Sequence, residues 1–332
     1  MSTPRFYCWD DDGSPGRALT GNMQNKLKQI LIPCLVTGYG DKPGAGWAIG
    51  HEHPNGFSLV SASGNIINFV SDLPSKSPYP AIGPNTIHIY AAETITGSSE
   101  AIIEGANLSS GPFRSGTPEA SGFPRHTIYV GYTLSSHLST LQWTIIADDS
   151  SVCISLSTSL SIDSSWPESQ VALYFGDTKI DSGIQNSFLA VGGANQDYSG
   201  STYARSTFSG GNTALRNLST GLCEFTSTVC QPYANNTSGY NLNTLGSGSL
   251  PAHLRLQPPT ILAGKNLVGV LKGCAYDPIL ALYGWGAYLR ALGFSEEDFA
   301  DRGKIATIGD NDYAFLPGYY GGFIMTTDLA FW

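Results

Sequence analysis

Residues 51 to 53 carry two histidines that could bind a metal ion. His51 and His53 place both imidazoles on one side of an extended segment, with the carboxylate of Glu52 between them, and zinc accepts such nitrogen ligands. A metal site needs further ligands, and none stands at a recognisable spacing. Residues 54 to 56, Pro-Asn-Gly, are typical of a turn. We therefore interpret the segment as a solvated loop that enters a hairpin.

A second candidate for metal binding is the acidic run Asp10-Asp11-Asp12. It resembles the oxygen-rich start of a calcium loop, but Gly21 stands where an EF-hand has its bidentate glutamate. The EF-hand interpretation therefore fails. A turn with solvated charges is favoured, and a calcium site of another kind stays open. We predict no metal site and no cofactor.

The candidate catalytic groups are the carboxylates at residues 148–149 and 296–298 and the abundant serines. A glycosidase needs two carboxyls that face each other across about 5 to 10 Å, and adjacent positions such as Asp148 and Asp149 do not establish that geometry. A hydrolase with a Gly-x-Ser-x-Gly elbow is disfavoured because the chain has no such motif. We predict that the chain is not an enzyme and has no catalytic residues.

Composition narrows the class of protein further. Charged residues make up 13% of the 332 residues, about half the share in a typical soluble domain, which suits permanent packing against other subunits. A net charge of -9 disfavours direct sequence-specific nucleic-acid binding, which relies on clustered Lys and Arg. The longest apolar run, residues 30–36, is far shorter than the ~20 residues of a membrane span. We expect neither a membrane nor a nucleic acid as partner.

One amphipathic helix is predicted from Asn22 to Val36. Its apolar residues recur at steps of three and four, Thr20 or Asn22 can cap its start, and Gly38 can adopt the left-handed conformation that ends it. Leu27 and other apolar residues should face the core. The lysines at 26 and 28 are expected on the exposed face, where replacement by alanine should be tolerated.

Most of the remaining chain is predicted to be strand. The strongest signals are residues 57–60, 66–69, 86–96, 100–106, 127–134, 141–147, 152–156, 171–175, 261–262 and 267–271. Residues 148–151 are a polar hairpin turn between two of these strands. The expected fold class is mainly β, with antiparallel sandwich or barrel-like sheets, one N-terminal amphipathic helix and long Gly/Ser/Asn-rich loops. Strand spacing leaves sandwich and barrel open.

Changes in composition predict three regions. Residues 1–182 form an N-terminal helix plus β domain. Residues 183–257, rich in Gly, Ser, Asn and Thr, form a loop-rich connecting region of extended arms, because their aromatic content is too high for a disordered linker. Residues 258–332 form a C-terminal β-containing region that can pack with the first domain, with a second helix at residues 295–302.

Several segments in the first half of the chain resemble a known protein family. Residues 6–11, the helix and residues 38–47 together resemble a recurrent opening of tailed-bacteriophage virion structural proteins. Residues 141–149 are similar to the family's tryptophan-led strand that ends in an alanine-aspartate turn, and residues 174–177 to its aromatic-glycine-aspartate element. The resemblance covers roughly residues 5–180. In the rest of the chain it is weak and limited to residues 268–273 and the aromatic C-terminus.

The resemblance implies a non-enzymatic structural component of a tailed-phage virion. Such a head, neck or tail subunit is made in the host bacterial cytoplasm and acts in the virion through permanent contacts. Its expected partners are other virion proteins and, as a homo-oligomer, further copies of itself. Two alternatives stay open: a receptor- or glycan-binding tail fibre or tip protein and, more remotely, a virion-associated hydrolase.

The candidate interface residues are Phe331 and Trp332. Two large aromatic rings at the end of the chain are seldom left in water without a partner. We therefore expect them to anchor a neighbouring subunit. A sugar-stacking platform is the alternative use for such rings.

Overall fold

A computed structural model describes residues 3–71, 87–99, 102–106, 141–157, 170–179, 187–192, 195–196, 202–203, 211–217, 223–231, 258–263, 266–277, 305–316 and 322–332. Within these ranges the chain is mainly strand, in antiparallel sheets, with a single short α-helix, and the sheets do not close into a barrel. The predicted fold class is therefore confirmed. The strand predicted at residues 127–134 and the helix predicted at residues 295–302 lie outside the described residues.

The strands of the first half, in chain order, are β1 Arg5–Cys8, β2 Ala48–His53, β3 Gly56–Val60, β4 Ile66–Ser71, β5 Ile87–Ala92, β6 Thr94–Ser99, β7 Ile102–Ala106, β8 Gln142–Ala147, β9 Ser151–Ser157 and β10 Gln170–Asp177. The strands of the second half are β11 Ser187–Gly192, β12 Asn195–Gln196, β13 Thr202–Tyr203, β14 Gly211–Asn217, β15 Cys223–Gln231, β16 Thr260–Ala263, β17 Asn266–Val270, β18 Cys274–Asp277, β19 Ile305–Ile308, β20 Asn311–Leu316 and β21 Gly322–Thr326. The single strand predicted at residues 86–96 is in fact two strands, because the chain leaves one sheet after β5 and enters another pairing at β6.

Three sheets account for most of these strands. The central sheet has the order β1-β8-β9-β10-β11-β14-β15-β16-β17, the N-terminal sheet β2-β3-β4-β5, and the C-terminal sheet β18-β21-β20-β19. Strands β6 and β7 form a hairpin, as do β12 and β13. The central sheet takes strands from all three regions predicted from composition. The region expected to be loop-rich, residues 183–257, supplies β11, β14 and β15 to it.

Around β8 to β10, the central sheet is covered on both faces. On β8, Trp143 and Ile145 pack into a core shared with the helix and the N-terminal sheet. Ile146, which points the other way, packs into a second core that includes Met325 of the C-terminal sheet. Every residue of β8 and β9 is buried as a result. The molecule is therefore layered, with the central sheet between the other two.

The helix begins where the sequence predicts and changes its winding before it ends. Helix α1 spans Met23–Leu31, and the side chain of Asn22 caps it by accepting a backbone N–H. A π-helical turn, Ile32–Thr37, continues the same segment to Gly38, whose φ of 79° ends it. Pro33 has no N–H for the α-helical pattern, and its ring crowds the carbonyl four residues earlier. This explains why the winding widens at that point.

The lysines of the helix are less exposed than predicted. Leu27 and Leu31 are fully buried, as expected. Lys26 is only 5% exposed, so the expectation that it lies on the open face is wrong, and burial lowers the pKa of its ammonium. Lys28 is about one third exposed and forms an ion pair with Glu52, 2.8 Å between Nζ and Oε1.

Candidate functional site: a buried aspartate, lysine and serine cluster

Five polar residues meet at one end of the central sheet, and we call them the deep cluster: Asp148, Ser150, Ser151, Asp177 and Lys272. Asp148 and Ser150 belong to the turn between β8 and β9, Ser151 starts β9, Asp177 ends β10, and Lys272 lies between β17 and β18. All five are buried. Ionised groups are almost never buried in a protein without partners. Asp148, Asp177 and Lys272 therefore each need partners inside the fold.

Asp148 organises the turn between β8 and β9. Its Oδ1 accepts hydrogen bonds from the backbone N–H of Ser150 at 2.8 Å, the backbone N–H of Ser151 at 2.7 Å and the Ser150 hydroxyl at 3.1 Å. An aspartate at the first position of a turn commonly accepts backbone N–H groups two or three residues later. The hairpin turn predicted at residues 148–151 is therefore confirmed.

Gly176 lets β10 approach this turn closely. Its φ is 138°, a value that side chains rarely allow, and a β-carbon there would lie 2.5 Å from both the Ser150 carbonyl oxygen and the Ser151 α-carbon. Only glycine fits such a close approach of two backbones. The aromatic-glycine-aspartate order at residues 174–177 thus delivers Asp177 to the deep cluster.

Lys272 enters the cluster from the C-terminal part of the chain. Its Nζ donates to the Ser150 hydroxyl at 3.1 Å and lies 3.9 Å from Oδ2 of Asp148. The Ser150 hydroxyl therefore accepts from the lysine while it donates to Asp148 Oδ1. The backbone N–H of Lys272 also points at the hydroxyl of Tyr174, 3.4 Å away. That hydroxyl donates to the main-chain carbonyl of Asp177.

Asp177 connects the cluster to the N-terminal sheet. Its Oδ1 accepts from the Ser63 hydroxyl at 3.3 Å and the Asn65 amide at 3.1 Å, both in the turn between β3 and β4. Burial is the main cause of a raised pKa of the Asp177 carboxyl, and the charge of Asp148 raises the pKa further. The two hydrogen bonds and the positive charge of Lys272 lower it. A carboxylate that loses water is stabilised only by such partners.

The deep cluster therefore ties the three layers together. The turn of the central sheet carries Asp148 and Ser150, the N-terminal sheet reaches in through Asn65, and Lys272 leads into the C-terminal sheet. Trp47 adds a further link, because its indole N–H donates to the Asp148 carbonyl at 2.9 Å. Buried networks of this kind are strong only when every member is satisfied.

Phe331 and Trp332, the predicted interface residues, lie beside the deep cluster and are both partly buried. The Trp332 indole N–H donates to the Thr326 carbonyl at 2.8 Å. Its ring lies on Gly273, where a β-carbon would come within 2.2 Å of it. The Gly273 N–H in turn donates to the Phe331 carbonyl at 2.8 Å. Trp332 thus packs on its own chain next to Lys272, and the subunit-anchoring role of both residues stays a prediction.

The two histidines considered as metal ligands serve separate local contacts. His51 Nε2 lies 2.9 Å from the Ser98 hydroxyl, and His53 Nδ1 accepts the Asn55 N–H at 3.2 Å. Residues 51–53 are part of strand β2, which pairs with β3, so the loop interpretation is wrong for them. The predicted hairpin is confirmed. Among the described residues, no group of three or more His, Cys, Asp or Glu side chains could hold a metal ion. The carboxylates at 296–298 lie outside the described residues.

One of the three N-terminal aspartates also has a structural partner set, which we call the shallow cluster: Cys8, Asp11, Tyr39 and Lys42. Oδ2 of Asp11 accepts the Cys8 N–H at 2.7 Å and the Tyr39 hydroxyl at 2.7 Å, and it lies 2.6 Å from Lys42 Nζ. Burial is the main cause of a raised pKa of the Tyr39 hydroxyl, and the adjacent Asp11 adds to it. The acidic run is therefore tied to the segment that follows the helix.

Sequence reasoning did not find Lys272 or the role of Asp177. No spacing rule connects residues so far apart. Asp148, Asp177 and Lys272 each lie in a segment that the sequence analysis named, residues 141–149, 174–177 and 268–273, but nothing there indicated that these segments meet.

Comparison with known proteins adds no relative: no family model, curated protein or solved structure matches the chain. In the part of the chain that the structure describes, no helix has the length and apolar character to cross a bilayer.

Proposed function

We propose that the chain is a non-enzymatic structural subunit of a tailed-phage virion, in the head, neck or tail. It would act there through permanent contacts with other virion proteins and with copies of itself. One observation supports this most. Among the described residues, the segments that resemble phage virion proteins build the deep cluster, which joins three layers of the fold.

The chemistry of the deep cluster favours a structural role over a hydrolytic one. Ser150 is the only serine of the cluster in contact with a lysine among the described residues, an arrangement that a serine hydrolase could use. Its hydroxyl is buried and already donates to Asp148 while accepting from Lys272. A nucleophile must reach a substrate carbonyl, and a hydroxyl that is buried and already paired with both Asp148 and Lys272 is poorly placed to do so.

The low content of charged residues supports permanent assembly. With 13% charged residues, contacts to other subunits would depend on apolar packing and hydrogen bonds, which salt screens little. A subunit held in this way stays bound when the ionic strength rises. Proteins that adhere to particles through ion pairs are released under the same conditions.

The direct test is mass spectrometry of phage particles purified on a density gradient and washed at high salt. We expect the chain to remain with the particles in every wash. As a control, the purified chain is mixed with particles of an unrelated phage, from which the wash should remove it. Absence of the chain from washed particles of its own phage would contradict the proposal.

Deletion of residues 329–332 separates this proposal from a receptor-binding fibre or tip protein. If Phe331 or Trp332 anchors a neighbouring subunit, particles should incorporate less of the shortened chain, since interface anchors commonly contribute about 2 kcal/mol or more. Normal particles that adsorb poorly to host cells would instead support the receptor- or glycan-binding alternative.

A further inference from the structure

We propose that the deep cluster forms an intramolecular amide bond between Nζ of Lys272 and Cγ of Asp148. This isopeptide would join the β8–β9 turn of the central sheet covalently to the segment that enters the C-terminal sheet. The inference depends on the geometry of the cluster and not on a virion role for the chain.

The two oxygens of Asp148 have different surroundings, as an acyl group that undergoes attack requires. Oδ1 receives three donors: the N–H groups of Ser150 and Ser151 and the Ser150 hydroxyl, at 2.7 to 3.1 Å. Preorganised N–H groups on one oxygen stabilise the negative charge that develops there in a tetrahedral intermediate. Oδ2 lies on the side of Lys272, where a leaving oxygen would be needed.

Lys272 is placed to attack. Its Nζ lies 3.9 Å from Oδ2 and is held there by the hydrogen bond to the Ser150 hydroxyl. The atom under attack is Cγ, to which Oδ2 is bonded, and Nζ must come to about 3 to 3.5 Å from it. The lysine side chain therefore has to move toward Cγ before the bond can form. Both side chains are nearly inaccessible to water, at 11% and 3% exposure. Exclusion of water favours condensation, since water is its product and hydrolysis its reverse.

The reaction balances without any co-reactant. One proton passes from the Lys272 ammonium to Asp148 Oδ2, which leaves a neutral amine and a carboxylic acid. The amine attacks Cγ and forms the C–N bond, and the C–Oδ2 bond then breaks. Oδ2 departs as water with a second proton from the nitrogen, and the amide keeps the third. Ser150 contacts both partners, 3.1 Å from Nζ and 3.1 Å from Oδ1, so its hydroxyl holds the amine beside the carboxyl and donates to the oxygen that carries the developing negative charge.

The shallow cluster provides an internal control. Its Asp11 and Lys42 are closer, at 2.6 Å, but the lysine approaches the same Oδ2 that accepts the Cys8 N–H and the Tyr39 hydroxyl. The donors thus stabilise the oxygen that would have to leave. Both side chains also have contact with solvent, at 31% and 18% exposure. We expect this pair to stay an ion pair.

The test is the intact mass of the full-length protein, purified folded and then reduced and denatured. The expected mass is one water below that of the sequence, after allowance for removal of Met1. Protease digestion should yield a branched peptide that joins Asp148 to Lys272. Lys272→Arg, which keeps the charge, should restore the full mass. Lys42→Arg, the matched control, should still lose water.

A succinimide ring at Asp12-Gly13 would also lower the mass by one water. The peptide in which the water loss is found therefore decides the result. Such a ring reopens in mild alkali, whereas the amide survives. A water loss that persists in Lys272→Arg, or that mild alkali reverses, would overturn the proposal. So would a wild-type chain at its full mass, a result that needs no variant to fold. Ser150→Ala should slow formation of the branched peptide at least tenfold, because it removes one donor to Oδ1 and the hydrogen bond that holds Nζ.

Discussion

The deep and shallow clusters each contain an aspartate–lysine pair. The two pairs differ in solvent exposure and in how far apart their residues lie along the chain. In the shallow cluster, Asp11 and Lys42 come from neighbouring segments, and their side chains are 18% and 31% exposed. In the deep cluster, Asp148 and Lys272 come from different layers of the fold and are 3% and 11% exposed. The first pair fastens one local segment, and the second connects layers of the molecule.

The solvent exposure of each pair determines how much it contributes to the stability of the fold. An exposed ion pair contributes about 0 to 1 kcal/mol, because water and salt screen it. Removing one partner of a buried pair leaves the other charge without compensation and costs about 3 to 5 kcal/mol. The same chemistry therefore has different consequences in the two places, and this difference can be measured.

The largest expected effect on stability follows from replacement of Lys272, the lysine of the deep cluster. Lys272→Ala should lower the free energy of unfolding by at least about 3 to 5 kcal/mol, because Asp148 is then buried without its cation and the proposed amide cannot form. Lys42→Ala, in the shallow cluster, should lower it by about 1 kcal/mol or less. Urea unfolding of the two variants measures both values. Equal losses would contradict the distinction between the clusters.

A smaller effect is expected for the Trp332 ring, which lies on Gly273, the residue after Lys272. Trp332→Ala should lower the free energy of unfolding by about 2 kcal/mol, less than for a fully buried ring, because it removes the contact with Gly273 and the hydrogen bond to Thr326. Phe331→Ala keeps the backbone bond to Gly273 and should change stability by less than about 1 kcal/mol. Thermal melting of the isolated protein compares them. A larger loss for Phe331→Ala would show that Trp332 is not the main intramolecular anchor.

The smallest effect concerns the pH dependence of stability through Asp177. Burial raises the pKa of this carboxyl above its ordinary value of 3.8. Between pH 3.8 and the folded pKa, the carboxyl is therefore protonated in the folded chain and ionised in the unfolded chain. The stability contributed by this proton is fully present below pH 3.8 and is lost as the pH rises through the folded pKa.

Asp177→Asn should remove this part of the pH dependence while still accepting from Ser63 and Asn65. The difference in unfolding midpoint between wild type and variant should therefore shift in favour of the variant as the pH rises from 3.8. Urea unfolding at several pH values tests this. A difference that stays constant with pH would show that Asp177 does not titrate as inferred.

The local parts of this fold could be predicted from sequence. Asn22 as helix cap, Gly38 as helix end and the turn at residues 148–151 all follow from side-chain chemistry within a few residues. The burial of Lys26 could not be predicted, because helical periodicity describes the helix and not what covers its polar side. The two-sided burial of β8 likewise depends on layers supplied by distant parts of the chain.

The deep cluster lies beyond the reach of such reasoning. Asp148 and Asp177 stand at strand ends, where aspartates usually mark solvated turns, and nothing near Lys272 distinguishes it from a surface lysine. Their meeting depends on the pairing of β8, β9 and β10 and on the close approach at Gly176.

The central claim is that this chain is a permanent part of a phage particle. The measurement that tests it most directly is the number of copies of the chain relative to the major capsid protein in gradient-purified particles washed at high salt. A permanent subunit should give a ratio that is constant between preparations and unchanged by salt. A ratio that falls with each wash, or a chain found only in the lysate, would contradict the claim.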